Sequence, residues 1–188
     1  MGVSAQQTKI NTAIATWEWG DYFDPKLKIE GIKLNISKWR RPAPNTIPWD
    51  SKAAGLYMIC TLSKHEAERQ GYSESLMLDH EGNVAESTSA NVFFKDNNGE
   101  LHTPIPDCFL DGITRRTVID IAKSKNIKVH ERKILPEELK NFVGCFLTGT
   151  AAEITPVSKI AENNYKVCDL IIDLSSSYGK LVRKKKAA

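Results

Sequence analysis

Cysteine is scarce in this 188-residue chain, and Cys60, Cys108, Cys145 and Cys168 stand far apart, with no CxxC pair and no histidine at metal-ligand spacing. That distribution argues against both a zinc site and a disulfide framework, so no metal is expected, and isolated thiols suit a reducing cytoplasm. Apolar runs long enough to cross a bilayer are missing too, and the first residues lack the charged-then-apolar plan of a signal peptide, so no membrane role is expected. Strong net charge is also absent: 26 Lys+Arg against 23 Asp+Glu give +3. Five of the positive charges sit at one end, on Lys180, Arg183, Lys184, Lys185 and Lys186, and without them the rest stands at −2. No aromatic- or glycine-rich stretch accompanies that run, so a solvated tail is expected rather than a nucleic-acid contact. What is present is 41% hydrophobic content, enough to bury one core.

The pattern divides into a polar stretch at 1–9, one domain over 10–180 and a basic tail at 181–188. Thr12–Trp19 alternates as a strand does, and so does Ile32–Ile36. Pro42, Pro44 and Pro48 then impose an irregular segment. Asp50 or Ser51 offers an N-cap for a helix carrying Leu56, Tyr57, Cys60 and Ala67. Short strands are expected at Ser75–Leu78 and Val92–Lys95, with turns at Glu81–Asn83 and Asn97–Gly99. Ile113, Val118, Ile121 and Ala122 mark an amphipathic helix over Ile113–Lys125, followed by a strand at Lys128–Glu131 and a short helix at Pro136–Asn141. Strands at Cys145–Leu147 and Glu153–Val157 flank a small-residue turn, and a last helix near Leu170–Lys184 places Leu170, Leu174, Tyr178 and Leu181 on one face.

Four places have chemical potential. Lys52, at the expected opening of a helix among Ala53, Ala54 and Gly55, has the setting of an amine kept near its neutral form, although an ordinary surface lysine gives the same pattern. Leu110-Asp-Gly-Ile-Thr-Arg115 places a glycine before a helix whose first amides, from Ile113 and Thr114, suit a phosphate; a plain glycine turn capped by Thr114 is the alternative. Thr148–Val157 is a turn whose amides and hydroxyls suit an anion, and equally a simple tight turn. Glu86 stands just before a strand among small hydroxylated residues that can satisfy a buried carboxylate; strand-end glutamates are also commonly solvated. Together they offer what pyridoxal phosphate requires: an amine, two anion cradles, and a carboxylate for the pyridine nitrogen.

Asn45–Tyr57, Glu86-Ser-Thr-Ser-Ala-Asn-Val-Phe93, Gly112-Ile-Thr-Arg115 and Thr148–Val157 resemble, in that order and spacing, branched-chain amino acid aminotransferases, a class IV family of pyridoxal-phosphate enzymes. The resemblance runs from about residue 10 to residue 160. It implies an α/β (mixed α+β) fold, the large cofactor-binding domain of the fold-type-IV, D-amino-acid-aminotransferase-like enzymes. By the same resemblance Lys52 forms the Schiff base with the cofactor and moves the substrate proton, Tyr57 meets the cofactor's phenolic oxygen, and Glu86 partners the pyridine nitrogen. Leu110 packs on the ring face, Ile113, Thr114 and Thr150 bind phosphate, and the amides of Thr150 and Ala151 face the substrate carboxylate. Trp19 and Tyr22 are implied to line the side-chain pocket.

The implied reaction moves an amino group between branched-chain L-amino acids and 2-oxoglutarate, in a cytoplasmic homodimer. Ser87–Ala90 departs from the glycine-containing version of that motif and looks more like D-amino-acid aminotransferases, which leaves those enzymes and aminodeoxychorismate lyases as alternatives. Family members carry a small α/β domain ahead of the equivalent of residue 10. A truncated chain with a pocket open to water, impaired or reduced to an inactive dimerising remnant, is therefore a further expectation.

Overall fold

The computed structural model describes residues 3–183; the lysine run 184–186 of the expected basic tail lies outside them. Of that tail, Leu181 and Val182 belong to the last helix, and Arg183 pairs with Glu153. Residues 9–21 form no regular element and are exposed, which corrects the strand expected at Thr12–Trp19. Alternation makes a strand only where a neighbouring edge supplies hydrogen bonds, and among the described residues no strand pairs with this segment. Packing begins with Tyr22 and Phe23, whose rings meet edge to face at 4.8 Å.

A single helical turn, α1 (Leu27–Glu30), leads into β1 (Ile32–Arg40). Gly31, between them, has φ of +81°, and a Cβ there would meet the Ser158 backbone nitrogen at 2.8 Å, so only glycine fits this crossing. The first full helix, α2 (Met58–Arg69), follows a 3-10 turn at Ala54–Tyr57. It therefore starts later than expected, and neither Asp50 nor Ser51 caps it. Ala53 is extended and caps through no side chain, while the Ser51 amide closes a turn on the Pro48 carbonyl. Next come β2 (Glu74–Leu78), β3 (Val84–Ser87), β4 (Asn91–Lys95) and the short β5 (Leu101–Thr103). Glu86 thus lies within a strand rather than before one, opposite Met77.

Helix α3 (Ile113–Ser124) buries Thr114, Arg115, Val118, Ile119 and Ala122, whereas Ile113, expected on the apolar face, is 66% exposed. β6 (Val129–Glu131), a 3-10 turn at Pro136–Asn141, β7 (Gly144–Gly149), β8 (Glu153–Ile160), β9 (Asn163–Asn164) and α4 (Asp169–Val182) complete the chain. On α4 the buried residues are Ile171, Leu174 and Tyr178, and Leu181 turns outward. No described helix is long and apolar enough to cross a membrane.

The sheet order is β3-β2-β1-β8-β7-β4-β5-β6, with β9 beside β8. β1 runs parallel to both β2 and β8, whereas β7 is antiparallel to β4 and β8. The Val84 amide donates to the Ile134 carbonyl at 2.8 Å, joining β3 to the segment beyond β6, so the sheet curls on itself. Successive residues of a strand face opposite sides, and the core separates accordingly. Val92, Phe94, Cys145 and Leu147 pack on one face with Leu34, Leu76 and Val157. Phe93 and Phe146 face the other way, under Val118, Ala122, Ile171 and Leu174 from α3 and α4. Directly paired in the ladder, Phe93 and Phe146 stack at 5.0 Å with their rings 4° apart.

Candidate active site

The ends of β3, β4 and β7, the start of α3 and the segment before α2 enclose a cavity of about 880 Å³. All ten residues singled out from the sequence line it: Trp19, Tyr22, Lys52, Tyr57, Glu86, Leu110, Ile113, Thr114, Thr150 and Ala151. Lys52 is exposed at its edge, and its Nζ donates to Tyr57 Oη at 3.0 Å. Two residues ahead of the 3-10 turn and six ahead of α2, Lys52 is not in a helix's first turn. The effect of a helix dipole falls off within that turn, so the helix-start setting expected for Lys52 is not the one it has.

Glu86 is held differently from expectation. The hydroxyls of its small neighbours turn elsewhere: Ser87 Oγ donates to the Ala90 carbonyl, while Thr88 and Ser89 donate to the fully buried Glu74. Instead Arg41 Nε stands 3.5 Å from Glu86 Oε1, and Asn91 Nδ2 donates to Oε2 at 3.2 Å. Arg41 is itself buried and also donates to the Cys108 carbonyl and to Cys60 Sγ. Burial pushes the Glu86 carboxyl up to about 8, against the opposing pull of the Arg41 and Lys52 charges.

The opposite wall is the start of α3. Gly112 caps it with no side-chain hydrogen bond, so the expected alternative of a Thr114 cap is overturned: Thr114 Oγ1 meets Tyr178 Oη at 3.3 Å. First-turn amides have no partner inside a helix, so Ile113 and Thr114, which both line the cavity, have amides that intrahelical bonds do not use. The β7–β8 turn adds Thr150 and Ala151, both exposed, and the end of β7 adds Thr148, whose buried Oγ1 has no hydrogen-bond partner among the described residues. Trp19 is 67% exposed and lies 6.4 Å from Tyr22, ring to ring.

Arg41, Asn91 and Thr148 were missed in the sequence. Asn91 and Thr148 had a signal, since each sits inside a quoted motif, but Arg41 lies in the proline-rich stretch with no pattern to mark it. A second cluster also eluded linear spacing: Glu100, His102 and His130 come within 4.8 Å, a grouping able to hold a metal ion. Its members already have partners, and those of His102 lie outside the cluster. His102 Nδ1 accepts from Arg132 Nε at 3.1 Å, which places the ring proton on Nε2, facing Asp96, and His130 Nε2 lies 2.5 Å from Glu100 Oε2.

The sequence pattern of amino-transferase class IV matches residues 2–160. The chain belongs to the class IV aminotransferases. Among relatives of this class IV chain, a probable branched-chain-amino-acid aminotransferase of Rickettsia bellii is 42% identical over 166 residues, 85% of this chain and 56% of the relative. The crystal structure of a branched-chain aminotransferase from Thermoproteus uzoniensis with norvaline superposes with a TM-score of 0.83 at 36% identity, covering 89% of this chain and 55% of that one. An aminotransferase from Brucella abortus, solved bound to the cofactor PLP, superposes with a TM-score of 0.77 at 29% identity, over 82% of this chain and 55% of that one. The fold expectation, the large domain of fold-type-IV enzymes, holds. The chain spans about half the length of the curated relatives it matches.

Proposed function

We propose that this class IV chain is the cofactor-binding part of a pyridoxal-phosphate-dependent aminotransferase acting on branched-chain L-amino acids and 2-oxoglutarate. The observation that carries the reading is that the Lys52 amine, the Glu86 carboxyl and the uncapped start of α3 line one cavity. These are the groups needed for an aldehyde, a ring nitrogen and a phosphate. The residues fit such a ligand. Thr148 Oγ1 is buried without a partner, a costly arrangement that a bound polar group relieves, and the cavity is of cofactor size.

Bound pyridoxal phosphate supplies an aldehyde for the amino group and a ring that withdraws electrons. Lys52 Nζ then serves as the base and acid at the substrate α carbon, with Tyr57 Oη orienting it. Glu86 keeps its proton up to about pH 8 where a ring nitrogen is to be met, and Arg41 balances the carboxylate once that proton moves. Leu110, which lines the cavity, would pack on the ring. The amides of Ile113 and Thr114 and the Thr150 hydroxyl bind phosphate, while the Thr150 and Ala151 amides hold the substrate carboxylate. Trp19 and Tyr22 offer an apolar wall to a branched side chain. Free thiols at Cys60, Cys108, Cys145 and Cys168 support a cytoplasmic setting, and a homodimer is part of the same reading.

The test is borohydride reduction after incubation with pyridoxal phosphate, followed by peptide mass mapping. Stoichiometric label on Lys52 is expected, and label scattered over surface lysines overturns the proposal. L-leucine, D-alanine and aminodeoxychorismate, compared as substrates, then separate the branched-chain reaction from its class IV relatives. Light scattering checks the dimer.

A further inference from the structure

Asn91 opens β4, is buried, and pairs in register with Thr148 on β7, so its backbone is fixed by the sheet. Its carboxamide spans the cavity floor. Nδ2 donates to Glu86 Oε2 at 3.2 Å and to the Leu110 carbonyl at 2.9 Å, and Oδ1 accepts from the Gly112 amide at 3.2 Å. The orientation is unambiguous, because a carbonyl only accepts and an amide N–H only donates; turning the group over would break both bonds to the 110–112 segment. A Cβ on Gly112 would lie 2.4 Å from Asn91 Oδ1, so the side chain fills the space that a residue larger than glycine would need. Both donor hydrogens of Nδ2 are used, one on Glu86 and one on the segment that leads into α3.

We infer that Asn91 is a positioning residue that fixes the span between the Glu86 carboxyl and the anion-binding start of α3, and so selects a ligand whose ring nitrogen and anionic group are rigidly spaced. A surface loop would let the two ends drift independently, whereas one planar amide bonded to both makes them a unit. Two binding groups held at the right separation act on a linked ligand as one site, and the gain from linkage disappears when the separation is lost. The ligand selection rests on the cofactor reading above. The structural link does not, and both are tested together.

Glu86 is titrated by carboxyl 13C NMR in the unliganded chain, and affinities are then measured for pyridoxal phosphate and for pyridoxal, which lacks the anionic group. Asn91→Ala removes a donor to the ionised carboxylate, so the Glu86 midpoint is expected to rise by about one unit, a tenfold change in its ionisation constant. The preference for pyridoxal phosphate over pyridoxal is expected to fall at least roughly tenfold, since the cradle no longer stands at the matching distance. Asn91→Asp keeps the size and the oxygen facing Gly112 but lacks both donors, and should move Glu86 further than alanine does; it carries the test if the alanine variant misfolds. An unmoved Glu86 midpoint overturns the inference, and so does an equal proportional loss for both ligands, which is what general loosening of the core would produce. A wild-type chain that takes up neither ligand overturns the cofactor reading and the selection together, and is told apart by a Glu86 titration that still responds to substitution.

Discussion

Replacing Glu86 with glutamine should stabilise the unliganded protein at neutral pH. In the folded chain burial holds the Glu86 carboxyl up to about 8, against a usual value of 4.5. Between those values the unfolded chain has released the proton and the folded chain keeps it, so the unfolded state binds fewer protons and stability falls as pH rises. The contribution is complete below 4.5, declines through the window and is lost above about 8. From pH 4.5 to pH 7 the decline covers two and a half units, at about half of 1.4 kcal/mol per unit at the start and nearly all of it after that, roughly 3 kcal/mol. Glutamine keeps the shape and can still accept from Asn91 Nδ2, and it carries no proton to lose. Urea unfolding of wild type and Glu86→Gln at pH 5, 6, 7 and 8 gives the comparison, with the gap widening by about 1.4 kcal/mol per unit in the middle of the range and more slowly as pH nears 8. Curves that stay parallel from pH 5 to pH 8 would refute the reasoning, because they would place Glu86 at an ordinary value in the fold. The same substitution should weaken pyridoxal phosphate binding, so stability and affinity move in opposite directions.

Lys52→Ala is expected to abolish the borohydride label and to lower any amino transfer by at least 10²- to 10⁴-fold, measured as keto-acid production, while leaving the urea midpoint within error because Lys52 is exposed. Thr148→Val removes the unpartnered buried hydroxyl at nearly constant volume; unfolding should show a gain of about 1 kcal/mol without ligand, and pyridoxal phosphate titration a loss of affinity. Phe146→Ala opens a cavity beside its stacked partner Phe93, with an expected loss of about 3–5 kcal/mol in chemical denaturation.

Much of this molecule is legible where a local pattern and the tertiary environment agree. The α3 helix, the β4–β5 turn and the β7–β8 turn each announce themselves through periodicity or turn residues, and the chain folds them within a residue or two of expectation. The N-terminal alternation at Thr12–Trp19 misleads because side-chain period says nothing about whether a partner edge is present. Helix α2 begins late because Pro48 and Ala53 commit the backbone to turns and extension, which outweighs two good capping residues. At the site the ten motif residues converge, yet the groups that hold Glu86 come from β4 and from the first residue after β1, and no spacing rule connects Arg41 with Glu86 across the sheet. Likewise, the histidines at 102 and 130 meet only because β5 and β6 lie side by side in register.

The pairing of β1 with β8 has a consequence for how the protein is made. β1 ends at Arg40 and its neighbour β8 begins at Glu153, so the strand at the middle of the sheet leaves the ribosome long before one of its two partners exists. At a synthesis rate of about 5–20 residues per second the wait is on the order of ten seconds. During it, β1 has β2 on one side and an open edge on the other, at Ile32, Lys33 and Leu34. Until β8 is made, that edge of β1 stays open to pairing with other chains, and in the complete chain the β1–β8 ladder is a long-range pairing of the kind that slows folding.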